Sequence, residues 1–172
     1  HPLSSSRIEH VRNHVEKSPI PEGTYPKQYD ALHKRMVAKL YGFLKTPEKT
    51  FQKYAATDKS QAARLARALA YYKQPDLQKS ISEMDGLIKE SPADPFFHEL
   101  KGQILFENGK LAEALASYEK AAQLLPDSAL ILADLAKVEL AQPAPNVQSA
   151  ITHLEKSTTL DNSNGMAWHF LA

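Results

Sequence analysis

The chain has 172 residues, 42% of them hydrophobic and 24% charged, which is enough for one sizeable domain. Its 21 Lys and Arg nearly cancel 20 Asp and Glu, and the resulting net charge of +1 argues against a polybasic nucleic-acid or membrane surface. Cysteine is absent, which removes disulfides, thiolate zinc sites and cysteine nucleophiles, and no apolar run approaches the roughly 18 residues of a membrane span.

In chain order, Ser6-x-x-Glu9 reads as a capping box for a first helix with Ile8, Val11 and Val15 on one side, ending near Lys17. Ser18-Pro19-Ile20-Pro21-Glu22-Gly23 reads as a loop. Pro26 then opens a long helix whose apolar side carries Tyr29, Leu32, Met36, Val37, Leu40 and Leu44, with Lys34, Arg35 and Lys39 on a solvated polar side. Thr46-Pro47 starts a short helix with Phe51 and Tyr54, so residues 26–60 form a degenerate helical pair or an N-terminal cap.

From Gln61 onward the chain repeats itself. A shift of 34 residues brings Ala68 onto Gly102 and Ala136, Pro92 onto Pro126, Tyr71 onto Leu105, Met84 onto Tyr118, and Pro75 onto Gly109. Gly102, Ala114 and Ala121 supply small surfaces where two antiparallel helices approach, with Leu105 and Tyr118 filling the space beside them. Asn108-Gly109 gives the turn between the two helices, and Pro126 stops the second. This is the tetratricopeptide length and pattern, and it predicts an all-α helical-pair superhelix, an α-α solenoid. The copies run 61–94, 95–128 and 129–164, the last with a two-residue insertion around Pro143 and Pro145, followed by a partial copy at 165–172. Roughly five helical pairs result, the last unfinished. His1 without a preceding Met and an uncapped apolar end at Trp168–Ala172 suggest a fragment excised from a longer parent.

Chemistry is sparse. His10 and His14 are four apart on the first helix and both imidazoles could face one metal, but the run His10-Val11-Arg12-Asn13-His14 lacks the glutamate base of H-E-x-x-H. His33, His98, His153 and His169 stand alone, and Gly102 and Gly109 are explained by packing and turn geometry, not by a phosphate loop. No catalytic residue, metal ligand set or cofactor site is assigned within the chain.

A helical-pair solenoid offers a concave surface lined by the first helix of every pair, on which a polypeptide can lie. The 34-residue frame places Leu65, Leu69 and Tyr72, then Phe96, Glu99, Gln103 and Phe106, then Leu130, Lys137 and Leu140 on it. This set is more apolar than charged and predicts apolar or aromatic contacts, not a clamp for a peptide carboxylate. The competing reading is that a good part of it is core. Arg64, Arg67, His98 and Lys101 occupy positions that are usually large and apolar, which would follow if the first helices of two repeats were rotated from this frame.

Two upstream stretches, His1-Pro2-Leu3-Ser4-Ser5-Ser6-Arg7-Ile8 and Tyr29–Leu32 running to Ala38–Leu44, resemble the segment joining the catalytic and repeat domains in family-48 zinc metallopeptidases of the BepA type. The resemblance implies a periplasmic parent in which residues 1–25 are a linker helix and loop after a peptidase domain, and 61–172 are its recognition half. It implies zinc in the parent and partners among substrate polypeptides, outer-membrane assembly proteins or the parent's own peptidase domain. By the same resemblance His1 is a candidate regulatory zinc ligand at the domain junction. Self-association through the partial last repeat, where Trp168 and Leu171 lack a next neighbour, is the alternative, and a free-standing hydrolase using His10 and His14 is the less favoured one.

Overall fold

The computed structural model describes residues 3–17 and 26–172 and is all-helical, with no strand among them. The elements are α1 (Leu3–Glu16), α2 (Lys27–Leu44), α3 (Pro47–Lys53), α4 (Gln61–Lys73), α5 (Leu77–Glu90), α6 (Pro95–Glu107), α7 (Leu111–Leu124), α8 (Ala129–Leu140), α9 (Val147–Leu160) and α10 (Gly165–Leu171). His1, Pro2 and the expected loop at residues 18–25 lie outside the described residues.

The chain divides into two compact units, residues 1–34 and 35–172, with the boundary inside α2. In the first unit α1 begins at Leu3, so Ser6 sits inside the helix and not at its cap. Ile8, Val15, Tyr29 and Leu32 are all exposed there.

The second unit follows the repeat frame. The first helices start at Gln61, Pro95 and Ala129, 34 apart, and the fourth starts at Gly165, 36 further on. The two extra residues fall in the turn after α8, where Gln142 reinforces the exit by donating to the carbonyls of Leu111 and Val138, each at 3.0 Å. Side-chain caps begin six of these helices: Ser60, Asp76, Asp94, Ser128, Asn146 and Asn164 each accept a backbone N–H of the first turn. Gly109 closes α6 to α7 at φ 72°, a left-handed turn that suits glycine.

Packing is repeat-by-repeat. One buried cluster joins α4, α5 and the start of α6 through Leu65, Leu69, Met84, Leu87, Phe97 and Ile104. A second joins α6, α7 and α8 through Leu105, Ala114, Tyr118, Leu135 and Val138, and a third joins α8, α9 and α10 through Ala133, Ala150, Leu154 and Ala167. Each helix touches its neighbours and little else, as a solenoid requires. Gly102 lies so close to the Tyr118 ring that a Cβ there would sit 2.7 Å from it, and this sets the α6–α7 spacing.

The polar residues at normally apolar positions are explained without rotating the helices. Arg67 is almost fully buried, its Nε donates to Glu83 at 2.8 Å, and its Nη1 donates to the carbonyls of Ala55 and Asp58, both at 2.8 Å. Arg64 Nε donates to the other Glu83 oxygen at 3.2 Å, Lys101 pairs with Asp85 at 2.7 Å, and His98 Nε2 lies 3.0 Å from the Pro92 carbonyl. These four side chains face α5 or the segments beside it, and pairing replaces apolar contact.

Candidate functional site

The face assigned to the groove is built from α4, α6 and α8, and the second half of α2 lies against its first part. Gly42 of α2 seats on α4, where an added Cβ would come 2.9 Å from Leu69 Cβ and 3.2 Å from the Ala66 carbonyl. Lys73, at the end of α4, donates to the Phe43 and Lys45 carbonyls at 2.9 and 2.6 Å, holding the end of α2. Further along, Lys39 Nζ approaches Glu99 at 3.6 Å, and Arg35 donates to Asp94 at 2.7 Å with its guanidinium 4.3 Å over the Phe97 ring. Asp94 serves twice, since its other oxygen accepts the Phe96 N–H that caps α6.

This seat departs from the expected amphipathic order of α2, of whose predicted apolar side Val37 is half-buried and the rest exposed. Met36, Leu40 and Leu44, predicted as its packing side, are 55%, 52% and 75% exposed. Arg35, Ala38, Lys39 and Gly42 turn inward instead. Lys34 is exposed as expected, but Arg35 and Lys39 are paired side chains and not a solvated face. Gly42 and Ala38 permit the close approach that larger residues would prevent, and the carboxylates of α6 select the cations beside them.

The ten predicted groove residues therefore separate into groups. Leu65 and Leu69 are core residues and do not line an open surface, because α2 and the first cluster cover them. Glu99 is buried, and burial pushes its carboxyl above the usual range although Lys39 and Lys137 oppose the shift. Tyr72 and Gln103 meet at Glu107: the Tyr72 hydroxyl donates to one carboxylate oxygen and Gln103 Nε2 to the other at 3.0 Å. That hydrogen bond leads the effects that hold the Tyr72 phenol up to about 12. Phe106 is half-buried with Lys137 Nζ 5.2 Å over its ring, and the same ammonium donates to Asp134 at 2.6 Å. Leu140 is half-buried against the third cluster. Phe96 and Leu130, at the same position of successive repeats, are 50% and 56% exposed.

The middle of this face is thus ionic, contrary to an apolar expectation. Apolar surface is concentrated at Phe96 and Leu130 near the starts of α6 and α8. Sequence reasoning missed Asp94, Glu107 and Asp134. The signal was present in the frame, since Glu107 directly follows the assigned Phe106 and Asp134 lies one helical turn before the assigned Lys137.

His10 and His14 are both exposed on α1, and among the described residues no group of three His, Asp or Glu side chains gathers as metal ligands. On the opposite side of α8, Ser149 Oγ donates to one oxygen of the buried Glu139 at 2.7 Å and His153 Nδ1 lies 2.9 Å from the other. The carboxylate stands between serine and imidazole, so the imidazole is not placed to take the serine proton, and the cluster ties α8 to α9.

Comparison with known proteins agrees with this architecture. A family model described as "Tetratricopeptide repeat" matches residues 48–95, and one described as "TPR repeat" matches residues 102–142. The solved structure "MamA AMB-1 P212121" superimposes with a TM-score of 0.57 over 88% of this chain and 84% of that chain, at 15% identity, a likeness of fold. No curated protein matches the sequence. The chain carries tetratricopeptide repeats stacked as an all-α helical-pair solenoid.

Proposed function

We propose that residues 35–172 are a polypeptide-recognition module and perform no bond-breaking of their own. The observation that carries this reading is the ladder of solvent-exposed apolar side chains, Phe96 and Leu130, at one repeat position beside a row of paired polar groups. Repeat solenoids use such a face to hold a segment of another chain, with apolar anchors supplying affinity and polar pairs fixing register. The test is a peptide array probed with the chain and with a Phe96→Asp, Leu130→Asp variant whose circular dichroism is unchanged. Selective spots that fade at least tenfold in the variant support the reading, and equal signals refute it.

The resemblance of residues 1–8 and 29–44 extends the reading to a zinc metallopeptidase parent of the BepA type in the periplasm. There the solenoid would present substrates or outer-membrane assembly proteins to a separate catalytic domain, or contact that domain itself. Zinc belongs to that other domain in this reading, since this sequence has no H-E-x-x-H. His1 as a regulatory ligand is tested by metal content and activity of the parent carrying His1→Ala, and unchanged values remove it.

A second reading has one observation in its favour. Trp168 is 49% exposed on α10, beside the exposed Phe170, which gives a second copy an apolar edge to cover. Sedimentation across a concentration series separates self-association from a monomeric binding module.

A further inference from the structure

The inward face of α2 carries charge, small residues and, near its end, Phe43 packed against the first core cluster, while Met36, Leu40 and Leu44 face water. Between Arg35 and Phe43 the contacts run Arg35 to Asp94 and Phe97, Lys39 to Glu99, and Gly42 to Leu69 and Ala66. Met36, Leu40 and Leu44 remain outside. Burial of apolar surface is the strongest general driver of helix docking, and partly exposed ion pairs contribute little. A helix seated this way leaves three of its large apolar side chains in water and holds its seat through Ala38, Gly42, Phe43 and the paired cations, so the seat is open to competition.

Without α2, the face beneath it is an acidic trough. Asp94, Glu99 and Asp134 would stand there against Lys137, with Glu107 next to them and Lys73 at the far end of α4, and Ala66 and Leu69 form the floor where Gly42 sits. Burial, with Asp134 nearby, holds the Glu99 carboxyl above the usual range, and the lysines beside it oppose that shift.

We propose that the face formed by α4 and α6 is a receptor for a cationic helix with a small-residue side, that α2 occupies it in cis, and that a partner helix of the same pattern displaces α2. The pattern is a basic residue, a small residue three further, a basic residue four further and a small residue seven further, as Arg35, Ala38, Lys39 and Gly42 present it. The proposal deepens the polypeptide-recognition reading and rests on it: it names the partner as a basic helix and makes α2 the gate.

The experiment uses the full chain and a fluorescein-labelled peptide of residues 27–46. Gly42→Leu in the chain wedges α2 off α4, because the new side chain meets the Ala66 backbone, which cannot yield. The expected result is peptide binding at least tenfold tighter to the Gly42→Leu chain than to the original chain. A peptide carrying Arg35→Glu and Lys39→Glu should lose at least tenfold again, and the affinity of the unaltered peptide should fall with added salt. If Gly42→Leu does not fold, a chain carrying Arg35→Glu and Lys39→Glu expels α2 by repulsion from Asp94 and Glu99 and serves as the receptor. Equal peptide affinity for the original and opened chains, or equal binding of the charge-reversed peptide, overturns the proposal. Array spots that bind through Phe96 and Leu130 while the opened chain ignores the α2 peptide would overturn this proposal and leave the broader reading standing.

Discussion

Gly102→Ala is the sharpest test of the packing argument. An added Cβ would lie 2.7, 2.8 and 3.1 Å from three atoms of the Tyr118 ring, itself 1% exposed and wedged among Leu105, Ala114, Leu135 and Val138. Alanine is a better helix former than glycine by about 0.8–1 kcal/mol. Overpacking a filled site costs about 1–3 kcal/mol, so the net expectation is a loss of roughly 1 kcal/mol, or about 4 °C in melting temperature. Gly86→Ala is the control, because the atoms nearest its added Cβ belong to the Arg64 guanidinium, the far end of a flexible side chain. Displacing Arg64 from Glu83 and Glu90 costs about 0–1 kcal/mol, which the helix propensity gain offsets. Urea and thermal unfolding followed by circular dichroism give both values. Replacing Tyr118 by Leu in the Gly102→Ala background should recover about 1 kcal/mol relative to the sum of the single changes. The reasoning fails if Gly102→Ala is as stable as the original chain, or if Gly86→Ala falls as far.

Two further outcomes follow from the polar interior. Glu83→Ala removes the carboxylate shared by Arg64 and Arg67 and leaves the buried Arg67 with two backbone carbonyls, so a loss of about 3 kcal/mol in urea titration is expected, and a loss under about 1 kcal/mol refutes the assignment. Glu99 has its carboxyl raised by burial in the folded state, so its contribution is most favourable below the unfolded value of 4.5 and is lost as pH rises through the raised one. Glu99→Gln should therefore gain stability relative to the original chain between acid and neutral pH, and parallel pH profiles would contradict the burial argument.

The architecture was legible because a solenoid writes its contacts at a fixed spacing. Ala68, Gly102 and Ala136 recur where helices approach, and the loop insertion near Pro143 shifted the frame by two residues without disturbing it. The groove was less legible for a physical reason: which side of a helix faces solvent depends on what lies over it, and nothing in the period reveals that α2 covers Leu65 and Leu69. The apolar stripe of α2 was misleading in the same way, because periodicity shows that Met36, Leu40 and Leu44 share a side and not that the side is buried. The polar residues Arg64, Arg67 and Lys101 could be placed by the frame, but their partners Glu83 and Asp85 lie on another helix, so the pairing needed the fold.

These ion pairs and the α2 seat differ in what would happen if they were opened. Arg67 is 3% exposed and its guanidinium satisfies two backbone carbonyls as well as Glu83, so breaking that network strands a buried charge and resists local opening. Lys39 is 39% exposed at its side chain and Arg35 20%, so both regain water when α2 lifts, and only Glu99 beneath remains poorly solvated. The first kind of pair ties α4, α5 and the segment after α3 into one body, while the second can exchange its cation for another, with Ala38 and Phe43 among the apolar side chains that α2 would uncover. On the proposal that this seat is exchangeable, the array opens first there, and amide hydrogen exchange in residues 35–44 should precede that of the repeats.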